Sequence, residues 1–129
     1  MSKRLLLDTH AFLWWLSDDA RMPSALDDTI HTAEVVYVSA ATAWEVRTKY
    51  RLGKLTDAAP FVAALGGEVT RNGFSPLEIS FDDGEVAGAF AGEHKDPFDR
   101  MLAAQALHNR LALVSNDEAL DAFGVVRVW

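Results

Sequence analysis

Short apolar runs that alternate with stretches of helical spacing constrain this chain more than any other feature. The runs are KRLLLD, EVVYVS, PLEIS, LALVS and VVRVW. Amphipathic helical patterns lie between them, and this alternation predicts βαβ units built around a parallel sheet. Parallel strands need crossovers of one hand, and helices must then cover both sheet faces. The expected fold is α/β, a three-layer α/β/α sandwich with a central, mostly parallel sheet of about five strands. No linker, repeat or low-complexity segment interrupts the pattern, so residues 1–129 are expected to form one domain.

Local signals sharpen this order. KRLLLD predicts a first strand buried on both faces, followed by a short helix in AFLWWLSDD. Pro23 and Ser24, with Asp27 three residues after the serine, predict a helix opened by a capping box. EVVYVS predicts the second strand. Ser39 then stands at the N-cap of a helix through AATAWEVRTKYRL, which stops at Gly53. TDAAPFVAAL predicts another helix, loosened at its end by Gly66, Gly67 and Gly73. PLEIS follows as a strand, and Ser80 with Asp83 forms a second capping box ahead of EVAGAFA. DPFDRMLAAQALHNR has the clearest helical signal, with Asp96 as N-cap, Pro97 in the first turn and apolar spacing through Met101, Leu102 and Ala106. LALVS and VVRVW complete the sheet.

Five acids stand where strands end or helices begin: Asp8, Glu45, Asp96, Asp99 and Asp117. Asp8 and Asp117 each follow a strand and therefore point to the same carboxyl edge. Asp99 lies in the first turn of a helix that starts at that edge, and Glu45 in the second turn of the helix after the second strand. Ligands bind at this edge of open α/β sheets. Each acid also has a purely structural role open to it. Asp8, Asp96 and Asp117 can cap helices, Asp99 sits at a favourable helix N-terminus, and Glu45 can pair with Lys49 at i, i+4. Carboxylates gathered in one cleft cannot all stay ionised without a cation. Oxygen ligands alone suit Mg²⁺ or Mn²⁺, and such a site fits phosphodiester hydrolysis, in which metal activates water and no protein nucleophile is needed.

Composition narrows the alternatives. There is no cysteine, hence no disulfide framework, thiolate metal site or cysteine nucleophile. Lys3 and Arg4 precede an apolar run that Asp8 and His10 cut short, a poor secretory leader, and no apolar stretch approaches the ~20 residues of a membrane helix. A soluble, cytoplasmic protein is expected, without a membrane partner. The formal charge is −7, from 12 basic and 19 acidic residues. That opposes a general nucleic-acid surface, although Arg47, Lys49, Arg51 and Lys54 form a basic stretch able to meet phosphate or to serve as a solvated helix face. His10, His31, His94 and His108 lack ligand spacing and read as surface or helix-edge residues. Trp14 and Trp15 are adjacent and cannot share one helix face, so one is expected in the core and the other at an exposed partner surface.

The strings LLLDTHAFLWWL, SAATAWEVRTKYRLGKL, HKDPFDRMLAAQAL and LALVSNDEAL, in this order and spanning nearly the whole chain, resemble a PIN domain, and within that family the VapC-type toxins of toxin–antitoxin pairs. The resemblance implies a metal-dependent endoribonuclease that cleaves RNA with Mg²⁺ or Mn²⁺. The family's acids fall on Asp8, Glu45, Asp99 and Asp117, the implied catalytic and metal-binding set. Asp96 falls at an accessory acid or helix cap, and Ser115 where the family carries a Thr or Ser thought to orient the site. Asn116 carries no assignment. The resemblance further implies a homodimer and a cognate VapB-like antitoxin whose basic side chain enters the acidic cleft. A catalytically inactive PIN-like binding module is the alternative function; the complete set of acids argues against it. A receiver-like signalling domain would need adjacent acids after the first strand and a lysine after the last, and LLLDTH and VVRVW provide neither.

Overall fold

The order of the strands decides where a site can form. In the computed structural model, which describes residues 3–92 and 96–129, five strands lie in the order β3-β2-β1-β4-β5. They are β1 (Arg4–Leu7), β2 (Val35–Ser39), β3 (Ser75–Leu77), β4 (Ala112–Val114) and β5 (Arg127–Val128). Every pairing is parallel. The chain steps outward from β1 through β2 to β3, then returns to the other side of β1 for β4 and β5. The direction therefore reverses between β1 and β4, which makes the carboxyl ends of these two strands the switch point of the sheet.

Leu5, Leu6 and Leu7 have no exposed surface, each fully buried side chain contributing ~2 kcal/mol. Their alternation divides the core. Leu5 and Leu7 pack with Phe12, Leu26, Ile30 and Phe74 on one face. Leu6 faces the other way, among Leu102, Ala103, Ala106 and Leu113. Helices α1 (Thr9–Leu16) and α2 (Ser24–Thr32) supply the first layer, joined by Val69 of α4 (Leu65–Arg71). Helix α6 (Pro97–His108) builds the opposite layer and packs on α5 (Phe81–Ala89). Helix α3 (Ala40–Arg51) buries Ala41, Thr42, Glu45 and Val46 along one stripe.

The cap at Ser39 forms as expected, its hydroxyl accepting from the Ala41 amide at 2.9 Å. The Ser80–Asp83 capping box is present in full, and His108 adds a 2.7 Å contact to the same aspartate. The expected box at Ser24 and Asp27 does not form. Helix α2 closes its first turn on the Pro23 carbonyl, which accepts from Leu26 and Asp27, so Ser24 already lies inside the helix and its hydroxyl makes no cap. TDAAPFVAAL is likewise not one helix. It forms two 3₁₀ turns, Thr56–Ala58 and Val62–Ala64, because Pro60 between them has no amide to donate. The α-helix begins only at Leu65, so Gly66 and Gly67 fall within α4 rather than ending a helix. The third strand is Ser75–Leu77, shifted ahead of PLEIS by its register against Tyr37–Ser39.

Neither Trp14 nor Trp15 is an exposed anchor. Trp14 is buried against Trp129 and beneath the Arg21 guanidinium. Trp15 packs at the edge of the core and donates to Asn72 at 3.0 Å. Aromatic exposure falls instead on Phe81, Trp44 and, to a lesser extent, Tyr50. His94 lies outside the described residues; His10, His31 and His108 are exposed, as expected.

Candidate active site

The strand register brings the first and last acids together. Leu7 pairs with Val114, and the Asp8 amide continues the ladder by donating to the Val114 carbonyl at 3.0 Å. Asp8 and Ser115 therefore leave the sheet side by side. The fully buried Ser115 hydroxyl accepts from the Asp117 amide at 3.0 Å and lowers the pKa of the neighbouring Asp8 carboxyl. One hydroxyl thus stands between the ends of β1 and β4 at the switch point.

Capping and site formation use the same residues. Asp8 accepts from Ala11 N–H at 2.8 Å and caps α1. Asp96 caps α6 through the amides of Phe98, at 2.8 Å, and Asp99, at 3.3 Å. Asp117 accepts from Ala119 at 3.0 Å and opens the 3₁₀ turn Glu118–Phe123. Because α1 and α6 both start at the carboxyl edge, their caps and first turns converge there. Asp8, Glu45, Asp96, Asp99 and Asp117 all line one cavity of about 240 Å³, together with Thr9, His10, Lys49 and Asn116.

Glu45 is only 3% exposed and needs partners. Its Oε1 accepts from the Thr9 hydroxyl at 2.5 Å, and its Oε2 accepts from the Lys49 ammonium. Thr42 lies 3.2 Å from Thr9. Since the single Thr9 proton is given to Glu45, Thr42 must donate to Thr9. Lys49 also stands 3.9 Å from Asp96. Burial alone would lower the pKa of this ammonium. The hydrogen bond to Glu45, reinforced by Asp96 and Asp99, raises it instead.

The acids are in electrostatic conflict. Burial, together with Asp96, Glu45, Asp8 and Asp117, pushes the Asp99 carboxyl up to about 7. Burial also raises Asp8, against the lowering effect of Ser115, the Ala11 amide and His10. The cleft is therefore short of positive charge, and its donors are hard oxygens, the combination a divalent cation satisfies. Among the described residues, no three His, Cys, Asp or Glu side chains stand close enough, as they are, to hold an ion.

The sequence matches a family model over nearly its whole length. The PIN domain family model aligns with residues 5–126. The chain belongs to the PIN domain family. Ribonuclease VapC22 of Mycobacterium tuberculosis is 26% identical over 119 residues, covering 90% of this chain and 88% of that protein. The same PIN fold recurs in FitAcB from Neisseria gonorrhoeae, with a TM-score of 0.69 and 19% identity over 97% of this chain and 96% of that one. It recurs in a toxin–antitoxin complex from Klebsiella pneumoniae, with a TM-score of 0.66 and 22% identity over 97% and 96% of the two chains. VapBC2 from Rickettsia felis, solved with a DNA fragment from its promoter, gives a TM-score of 0.67 and 12% identity over 96% of each chain.

All five sequence-selected acids thus line one cavity, and Ser115 lies beneath them. Sequence reasoning missed Thr9 and Thr42; the i, i+4 pair of Glu45 with Lys49 that it offered is present, and it lies in the cavity rather than on a solvated helix face. The available signal was the polar stripe Thr42, Glu45 and Lys49 on a helix whose other inward positions, Ala41 and Val46, are apolar. Of the basic stretch, Arg47, Arg51 and Lys54 are exposed, whereas Lys49 turns into the acids.

Proposed function

We propose that this protein is a metal-dependent endoribonuclease that hydrolyses RNA phosphodiester bonds as the toxin of a toxin–antitoxin pair. The observation that carries this reading is the gathering of Asp8, Glu45, Asp96, Asp99 and Asp117 around one cavity at the carboxyl edge of a PIN fold. The kinship with a VapC ribonuclease supports the substrate class. Asp8, Glu45, Asp99 and Asp117 would hold Mg²⁺ or Mn²⁺, with Asp96 accessory to them. The bound cation would supply a hydroxide-like water and neutralise charge on the phosphate.

The chain's own groups prepare this chemistry. Ser115 orients Asp8 and, through the Asp117 amide, the start of the last turn. Thr42 and Thr9 form a directed chain of hydroxyls that fixes Glu45 Oε1. The N-terminus of α6 keeps Asp99 at the cleft, with Asp96 as its cap. The catalytic and metal-ligand roles of these residues, the choice of metal, and a single domain over residues 1–129 are parts of the proposal. So are a homodimer, a VapB-like antitoxin that inserts a basic side chain among the acids, and a cytoplasmic location. Among the described residues, no helix is long and apolar enough to cross a membrane.

The test is cleavage of RNA by purified protein with Mn²⁺ or Mg²⁺, with EDTA, and after Asp8→Asn, alongside growth during induced expression. Cleavage and growth arrest by the wild type, both lost on Asp8→Asn, are expected. Equal cleavage by both proteins, or metal-dependent turnover by neither, overturns the proposal, the second result pointing to an inactive binding module.

A further inference from the structure

Glu45 arrives at the cleft with both carboxylate oxygens engaged, and the two engagements differ in kind. Oε1 accepts from the neutral Thr9 hydroxyl, with Thr42 behind it. Oε2 accepts from the charged Lys49 ammonium. The lysine is 28% exposed and lies one helical turn beyond Glu45 on α3. Its Nζ is 3.9 Å from Asp96 Oδ2 and 5.6 Å from the centre of the Phe98 ring. A monovalent cation on a four-carbon tether is therefore already seated on one acid assigned to the metal and beside the accessory one.

We propose that Lys49 is a tethered counter-ion that positions Glu45 in the metal-free protein and must leave Glu45 Oε2 for a divalent cation to bind. This rests on reading the cleft as a metal site. A buried carboxylate without a counter-charge is strongly unfavourable, so the metal-free cleft needs a cation of its own. Lysine suits an exchangeable role, because its ammonium is a compact charge on a flexible stem, without the fixed fork of arginine. The asymmetry of the two Glu45 oxygens makes exchange local. Thr9 keeps Oε1 in place while Oε2 changes partner, so the glutamate need not be rebuilt. Lys49 thereby lowers the affinity for metal while stabilising the protein without it, and sets the metal concentration at which the site loads.

The test is direct Mn²⁺ titration of metal-free protein by electron paramagnetic resonance, paired with thermal melts with and without Mn²⁺. Lys49→Met and Lys49→Gln are expected to bind Mn²⁺ tighter by on the order of tenfold, the range of a charge-assisted hydrogen bond. Both should melt lower than the wild type without Mn²⁺ and gain more from its addition. The glutamine variant keeps a donor for Glu45 and guards against failure of the methionine variant to fold. Arg47→Met, which removes an exposed cation from the same helix, should leave Mn²⁺ affinity unchanged. Unchanged or weaker Mn²⁺ binding by both lysine variants, with melting lowered equally with and without metal, means that Lys49 is a permanent structural partner and overturns the inference alone. Absence of Mn²⁺ binding by every protein, wild type included, overturns the metal-site reading as well.

Discussion

Asp99→Asn should stabilise the metal-free protein, although it removes a proposed catalytic group. Its carboxyl is pushed from 3.8 to about 7 by burial and by Asp96, Glu45, Asp8 and Asp117. Full ionisation against such a shift costs the folded state ~4 kcal/mol. Asp99 is only half-buried, and solvent screening reduces this to ~2 kcal/mol. The folded pKa lies above the unfolded one, so the associated stability is complete below about pH 3.8, falls as pH rises, and is lost above about pH 7. An asparagine of nearly the same shape does not ionise and escapes this loss. Urea unfolding in EDTA at pH 5, 6.5 and 8 should therefore show the variant more stable than the wild type, by a margin growing to ~2 kcal/mol at pH 8. Saturating Mn²⁺ should reverse the order, because the wild type gains the binding energy of the ion and the variant gains less. A variant no more stable than the wild type at pH 8 without metal, or a margin that does not change with pH, refutes the account of the cleft as charge-frustrated.

The neighbouring groups give two further expectations. Thr9→Val removes the hydroxyl on buried Glu45 Oε1 while nearly preserving shape; it should lower unfolding free energy by ~1–3 kcal/mol in urea titration and reduce RNA cleavage. Asp96→Ser separates the two duties of that residue, since serine is also a favourable N-cap: melting should change by less than ~1 kcal/mol, and any larger fall in cleavage rate at fixed Mn²⁺ measures its accessory part.

Strand runs and caps were legible because their causes are local. KRLLL and EVVYV have the apolar character of strands inside a covered sheet, and Ser39, Ser80 and Asp96 cap through amides two or three residues away. The failures were also local, but depended on competition. At Pro23 the proline carbonyl closed the turn ahead of the serine, and at Pro60 a missing amide outweighed good helical spacing. The tryptophan pair was half legible: Trp14 is buried, as expected of one of the two, whereas Trp15 is not exposed, for a different reason. Trp129 and Asn72, which cover Trp14 and Trp15, are far away in sequence, so no window around the pair contains them.

The acids follow the same division. That Asp8 and Asp117 follow strands, that Asp99 opens a helix, and that these positions share the carboxyl edge of a parallel sheet is written in the order of residues, because strand direction fixes that edge. That β4 returns beside β1, bringing Ser115 to Asp8 and the half-buried Asp99 towards four other carboxylates, is a property of the packed chain. So is the division of the two Glu45 oxygens between Thr9 and Lys49. Desolvation and charge repulsion depend on distances through space and on exclusion of water, and neither exists until the sheet has closed and the helices have packed.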